Sequence, residues 1–393
     1  MKISLFHVLA ATLLVAGTSI GGGMLALPVM TAEAGFWPSL GMMALTWLFM
    51  VTTALLLLEA NLWMPAGSHI ITMSERLLGR YGKAVAWLMY LFMAYASLIA
   101  YTAACGELIR QVLPVGAWTS NILFIVVFGL IIDLGARVVG LINSFLVGGV
   151  VAAYILMIGA GLDDVHPIHL LHSNWGETLK TLPLLLAVFS FQCVVPSITI
   201  YLKKSTKHIK IAIIGGMALA FVVYGLWQLL VLGSVPLQGE VSLRTAFAEG
   251  AAATQYYQQV VQSPWIAVTA SFFAFFAVAT SFLGIGLGLF DFLSDGLKIP
   301  KKGRGKVVLA LLIALPTLIL ATTVERIFLL ALDTSGGFGD TILNGILPAL
   351  MVWAGRYHQK RTGSFTVAGG KATLLVVIIA ALIIIFYELS SML

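Results

Sequence analysis

The chain has 393 residues, 60% of them hydrophobic and 10% charged, with a mean hydropathy of +1.03. Soluble domains carry about 25% charge, so this composition excludes a soluble enzyme and describes an integral membrane protein in a lipid bilayer. The formal charge of +6 sits in short loops between apolar runs, where it reports orientation and not a nucleic-acid partner.

A helix needs about 20 apolar residues to cross the hydrocarbon core. Eleven runs meet or approach that length: Leu5–Met30, Trp37–Leu58, Lys83–Ile109, Trp118–Ile132, Val138–Gly161, Leu179–Leu202, Ile209–Gly233, Pro264–Leu293, Lys306–Thr323, Ile327–Trp353 and Ala372–Glu388. The first is too long and too glycine-broken for a signal peptide and is read as a retained span. Its middle, Gly17-Thr18-Ser19-Ile20-Gly21-Gly22-Gly23, holds four glycines and two hydroxyls in seven residues. Glycine costs up to about 1 kcal/mol per helical position, so the run predicts an unwound segment. Unwound backbone at membrane depth needs protein or a water-filled cavity to satisfy it, which makes a midplane binding site the functional reading. Close packing through small residues is the structural alternative.

The polar stretch Asn61–Gly82 leaves room for a short interfacial helix, and Ala246–Gln262 for a surface helix. Cys105 and Cys193 both fall inside apolar runs, which predicts packing roles and no disulfide framework. Span six carries Phe189-Ser190-Phe191-Gln192 at mid-length, with Pro196 behind it removing a backbone donor. Span ten is interrupted by Ser335-Gly336-Gly337-Phe338-Gly339. Two broken spans five helices apart predict an inverted repeat of five and five, over 1–161 and 178–354, with an extra eleventh helix at 372–388. The fold class expected is therefore all-α, in one transmembrane transporter domain.

Placing the N-terminus inside puts 18 of the 22 Lys and Arg, starting with Lys2, on the inner side. Only Arg110, Lys180, Arg244 and Arg326 then lie outside. That segregation predicts N-in, C-out. The outer half of span one would then start near Gly22 and aim its free amides and positive dipole end at the midplane, where a carboxylate is the natural ligand. Carbonyls freed at Gly17, Thr18 and Ile20 suit an ammonium or a small cation. One centre that takes a carboxylate and an ammonium describes an α-amino acid.

The candidate substrate residues are Gly17, Thr18, Ser19, Gly21, Gly22, Gly23, Phe189, Ser190, Phe191, Gln192 and, from span three, Tyr101. Phe272, Phe273, Phe275 and Phe276 are candidates for an aromatic wall. Thr280 and Ser281 of span eight, with the Gly17 and Ile20 carbonyls, would make an oxygen site for a hard cation such as sodium. The plainer reading is that the two hydroxyls bond back to their own helix. Asp340 is the proton candidate: Thr341–Trp353 alone is too short to cross, so Asp340, and Asp333 before it, lie at membrane depth or at the outer vestibule. A solvated aspartate capping a helix that starts at Thr341 is the alternative. His166, His169 and His172 recur every third residue beside Asp163 and Asp164, without a convincing fourth metal ligand, and are read as a polar loop with no metal. No nucleophile–base set, metal motif or nucleotide-binding fingerprint occurs, so neither an enzyme nor a cofactor is expected.

The stretch Gly17-Thr18-Ser19-Ile20-Gly21-Gly22-Gly23-Met24-Leu25-Ala26-Leu27-Pro28 resembles the opening signature of the hydroxy/aromatic amino acid permeases. Thr280-Ser281-Phe282-Leu283-Gly284, with Gly288 to Gly296 after it, resembles that family's span eight. Gly336-Gly337-Phe338-Gly339 and Ile346-Leu347-Pro348-Ala349-Leu350-Met351 resemble its span ten. The resemblance covers the whole chain and looks closest to the tyrosine-specific branch. It implies the leucine-transporter-like fold of five plus five inverted helices in a bacterial inner membrane. It also implies import of tyrosine first and tryptophan second, coupled to protons rather than sodium. Gln192 departs from the pattern: it stands where the family often has histidine, and glutamine cannot carry a proton. The alternatives are a serine/threonine or branched-chain amino acid permease and, in another class, a channel or a non-transporting membrane protein.

Overall fold

The computed structural model describes residues 3–65, 68–261 and 263–392; Lys2 and Gln262, used in the expectations above, lie outside them. Among the described residues there is helix and no strand. In chain order the α-helices are α1 Leu5–Ser19, α2 Leu27–Thr31, α3 Phe36–Leu62, α4 Ile70–Val112, α5 Ala117–Asp133, α6 Ala136–Gly161, α7 Leu182–Val188, α8 Val195–Tyr201, α9 Thr206–Ser234, α10 Leu243–Glu249, α11 Ala253–Val260, α12 Pro264–Leu297, α13 Gly303–Thr323, α14 Ile327–Thr334, α15 Leu347–Trp353 and α16 Gly370–Met392. Eight helical stretches among the described residues are long and apolar enough to cross a membrane, and α1 and α5 are shorter apolar helices.

The polar stretch before span three does hold a helix, which runs on into the span as the first part of α4. Gly79, at φ 73°, kinks the join between them. The single surface helix expected over Ala246–Gln262 is instead two short ones, α10 and α11. Gly250 separates them in the left-handed conformation that a helix C-terminus favours.

Span ten corrects the sequence reading most clearly. Its glycine run does not interrupt it: α14 passes into a wide π-helical stretch, Ser335–Ile346, and on into α15. The glycines serve close approach. A Cβ on Gly336 would sit 1.7 Å from the Pro183 carbonyl oxygen of span six, and one on Gly339 would sit 2.3 Å from Met93 Cγ of α4. Asp340 therefore lies within a continuous helix, 2% exposed, and does not cap one that begins at Thr341.

With lipid on the outside, such helices are held by close packing and by hydrogen bonds, not by hydrophobic exclusion. The principal contacts join α1 to α9, α12 to α6 and α4, α4 to α14 and α5, α3 to α15 and α9, and the π-helical stretch to α4, α7 and α16.

Candidate functional site

The two breaks predicted from sequence are present. After Ser19 the chain leaves the helix at Ile20 and Gly21, makes one 3-10 turn over Gly22–Leu25 and resumes as α2. After Val188 it leaves at Phe189–Phe191, makes a 3-10 turn over Gln192–Val194 and resumes as α8. Pro28 and Pro196 each stand in the first turn of the resumed helix, where a missing N–H costs nothing.

What satisfies the freed backbone is a stripe on α9. Tyr224 Oη donates toward the Ser19 carbonyl at 2.6 Å and the Val188 carbonyl at 2.8 Å, so one hydroxyl joins the two breaks. Trp227 Nε1 donates to the Met24 carbonyl at 2.9 Å, and Gln228 Nε2 to Thr31 Oγ1 at 2.7 Å. All three side chains are 1% exposed or less. These residues were not candidates from sequence. Their spacing of three and four places polar tips on one face of an otherwise apolar span, and that was the available signal.

On the other side of the first break lie α12 and α4. The Gly22 amide donates to Ser281 Oγ at 3.0 Å, and Ser281 in turn donates to the Ala277 carbonyl at 3.0 Å. A Cβ on Gly22 would lie 2.7 Å from Tyr101 Cε1 and 3.3 Å from Val278 Cα, so Tyr101 closes directly over the break. Tyr95, the other tyrosine of span three, donates instead to the Leu312 carbonyl at 2.8 Å. Thr280 donates to the Ala277 carbonyl at 3.0 Å. Both hydroxyls of the sodium-site candidate thus bond back to their own helix, and Ser281 alone also reaches span one, through Gly22. Gly17 and Thr18 lie in α1: Gly17 is exposed with open space where a Cβ would be, and Thr18 donates to the Leu14 carbonyl at 2.7 Å. Ser19 is buried and its hydroxyl reaches the Val15 carbonyl and Met217 Sδ.

At the second break Asn344 Nδ2 donates to Asp340 Oδ1 at 2.7 Å and to Ser190 Oγ at 3.1 Å. The structure so brings Ser190 and Asp340 together through Asn344, which lies four residues on from Asp340. Gln192 turns away: its Nε2 donates to Thr53 Oγ1 at 3.2 Å and the Met50 carbonyl at 3.4 Å, and its Oε1 accepts from the Phe191 amide at 3.0 Å. Its carboxamide braces the break against α3. Phe189 and Phe191 are fully buried, with Phe189 edge-on to Tyr224. Of the proposed aromatic wall, Phe273 packs on Trp227 in the interior while Phe272 is 54% exposed.

Cys105 is buried as expected, but Cys193, beside the second break, is exposed, which overturns its packing role. The His166 and His169 rings meet edge to face at 5.4 Å, while His169 Nδ1 meets the Gly233 carbonyl and His172 Nε2 the Glu33 carbonyl. Among the described residues no cluster of three His, Cys, Asp or Glu is placed to hold a metal.

The family model of the tryptophan/tyrosine permeases matches residues 6–388. A tryptophan-specific transport protein of Haemophilus influenzae is 30% identical over 381 residues, covering 92% of this chain and 90% of its own. The tyrosine-specific transport system 1 of the same species is 30% identical over 370 residues, covering 93% and 92%. Among solved structures, the crystal structure of MhsT in complex with L-phenylalanine superposes with a TM-score of 0.60 at 14% identity, covering 99% of this chain and 98% of that one, and so shares its fold. The chain is a multi-pass integral protein of the bacterial inner membrane and a transport protein, not an enzyme. Matched along nearly its whole length, it belongs to the tryptophan/tyrosine permease family.

Proposed function

We propose that this permease is a secondary active importer of aromatic amino acids, tyrosine ahead of tryptophan, driven by protons and working by alternating access around the two breaks. The observation that carries the reading is the pair of breaks held side by side by Tyr224. In it the substrate carboxylate approaches the amides of Gly21–Gly23, with Ser281 occupying the Gly22 amide until it arrives. The ammonium lies among carbonyls of the two breaks. Relatives named for tryptophan and for tyrosine stand at the same identity, so both substrates belong in the proposal.

The orientation N-in, C-out and the count of eleven spans belong to the same reading. The pattern of contacts supports the five-plus-five repeat. Span one packs on span seven as span six packs on span two; span five packs on span eight as span ten packs on span three. Exchanging each span for its counterpart five positions away, one for six, seven for two, five for ten and eight for three, turns one pair into the other.

For coupling, Asp340 is the proposed proton carrier. It is buried, it lies on the helix that packs against span six, and Asn344 ties it to Ser190 at the second break. The sodium alternative keeps Thr280 as a ligand, because a hydroxyl that donates to Ala277 still has lone pairs for a cation, while Ser281 Oγ already accepts from the Gly22 amide. The test is counterflow in liposomes with a panel of amino acids, repeated with pH and sodium gradients imposed separately. Exchange of tyrosine and tryptophan with pH-driven accumulation is expected. Preference for serine or leucine, flux that never accumulates, or accumulation on sodium alone would overturn the substrate, transporter or proton assignment respectively.

A further inference from the structure

Two carboxyls near the second break have no part in the site described above. Asp333 lies in the last turns of α14, and Glu388 lies near the end of α16, only 2% exposed. Asp333 Oδ1 is closed off from solvent and has no hydrogen-bond partner. The Glu388 carboxyl lies over Gly337, where an added Cβ would fall 2.9 Å from its Oε2.

Among the described residues no cation pairs with either carboxyl. Asp333 stands about one turn before Gly337 on the same helix, so the Glu388 carboxyl that covers Gly337 faces it, as does the Leu184 backbone amide of α7. From α16, Tyr387 stands beside the pair, and it also faces Lys180 and Glu177. Lys180 is bound to Glu177 at 2.5 Å. Two buried carboxylates without a counter-ion repel one another and have lost their water, and a single proton relieves both penalties.

We propose that Asp333 and Glu388 form a proton-accepting pair at the outer end of helix ten, through which the C-terminal helix takes part in coupling; this rests on the proton-symport reading above. A proton arriving from outside forms an O–H bond with a carboxylate lone pair, and the same bond breaks on release toward the inside. No electron changes hands. Asp340 follows seven residues later on the same helix, so the pair stands on the outer approach to the buried carboxyl beside the second break. A role limited to sealing α16 onto the bundle is the competing account.

The experiment uses the full-length protein in liposomes: wild type, Asp333→Asn, Glu388→Gln and Glu388→Asp. Exchange of labelled amino acid requires no net proton movement, whereas accumulation under an imposed pH gradient does. Asp333→Asn and Glu388→Gln are expected to keep exchange within about twofold and to lose accumulation by about tenfold or more. Glu388→Asp, which keeps the acid, is expected to restore much of it. Undiminished accumulation in either neutral variant overturns the proposal. So does an equal loss of exchange and accumulation in all three variants, which marks a packing role, and so does wild-type accumulation on sodium alone. The wild-type substrate panel is read first. Failure to exchange tyrosine or tryptophan counts against the aromatic reading, and the pair is then judged on whichever amino acid does exchange.

Discussion

Gly22 and Gly23 are neighbours in the chain but not in their surroundings. A methyl group on Gly22 would drive into the Tyr101 ring and the α12 backbone, while one on Gly23 would meet Val188 at an ordinary 3.5 Å. Gly22→Ala must therefore shift the break or the tyrosine over it, and a displacement of about 1 Å near a reacting or binding centre costs on the order of 100-fold. Initial uptake rates are expected to fall by that order for Gly22→Ala, and to stay within about twofold for Gly23→Ala, since nothing there has to move. The two cysteines give a second contrast at this scale. Cys193 is exposed beside the break and Cys105 is fully buried, so a maleimide should label Cys193 alone, and saturating substrate should slow the reaction. Labelling of Cys105 detected by peptide mass spectrometry, or no labelling of Cys193, would contradict the geometry.

Among elements, α9 does the work of holding an unwound helix inside the membrane. Tyr224→Phe removes the one hydrogen that two buried carbonyls share, and leaving one such group unpaired costs about 1–3 kcal/mol before relaxation. A lower melting temperature in detergent, with reduced uptake, is the expected result. At the end of the bundle that holds the close of α3 and α15, Arg356 grips Glu59 through Nε and Nη2, and the Val367 amide donates to the same carboxylate at 2.7 Å. Glu59 is 1% exposed, so Arg356→Ala strands a buried charge and should destabilise by about 3–5 kcal/mol, whereas replacing both partners should cost less. Thermal unfolding of the single and double variants measures the difference. Both breaks could be read in the sequence because glycine and proline punctuation is local. The continuity of span ten could not, because Gly336, Gly337 and Gly339 look like a break until the residues that crowd them from other helices are known. The same limit hid Tyr224, Trp227, Gln228 and Asn344. Apart from Asp340, four residues before Asn344, their partners are carbonyls and hydroxyls on distant segments, and no spacing within the chain reveals those. Gln192 shows the same limit: its carboxamide is held by Thr53 and Met50 of α3, which the sequence does not bring near it.

Over the whole molecule, the segment of α10 and α11 is clamped to the end of the first broken helix by Arg244, whose Nε and Nη2 reach Glu33 at 2.5 and 2.9 Å. The guanidinium holds the Glu33 carboxyl below its ordinary value of 4.5. A depressed carboxyl contributes its stabilisation above the unfolded value and loses it as pH falls through the folded one. The pair is half exposed, so its contribution is small and weakened by salt. Hydrogen exchange over residues 243–249, corrected for its intrinsic pH dependence, should be flat near neutrality and rise below about pH 4.5, with Glu33→Gln raised throughout. A rise centred near neutrality would overturn the assignment to Glu33. The clamp and the α9 stripe meet the first broken helix at different places, but only the stripe touches both breaks. Tyr224 has one hydroxyl hydrogen and two carbonyl oxygens competing for it, at 2.6 and 2.8 Å. A hydrogen aimed at one is withdrawn from the other, so the two breaks stand in an either-or relation written in a single rotor. On the site proposed above, an incoming ammonium that supplied one carbonyl would release the hydroxyl to the other, and the arrival of cargo at one break would then be felt at its counterpart through a bond of less than 3 Å.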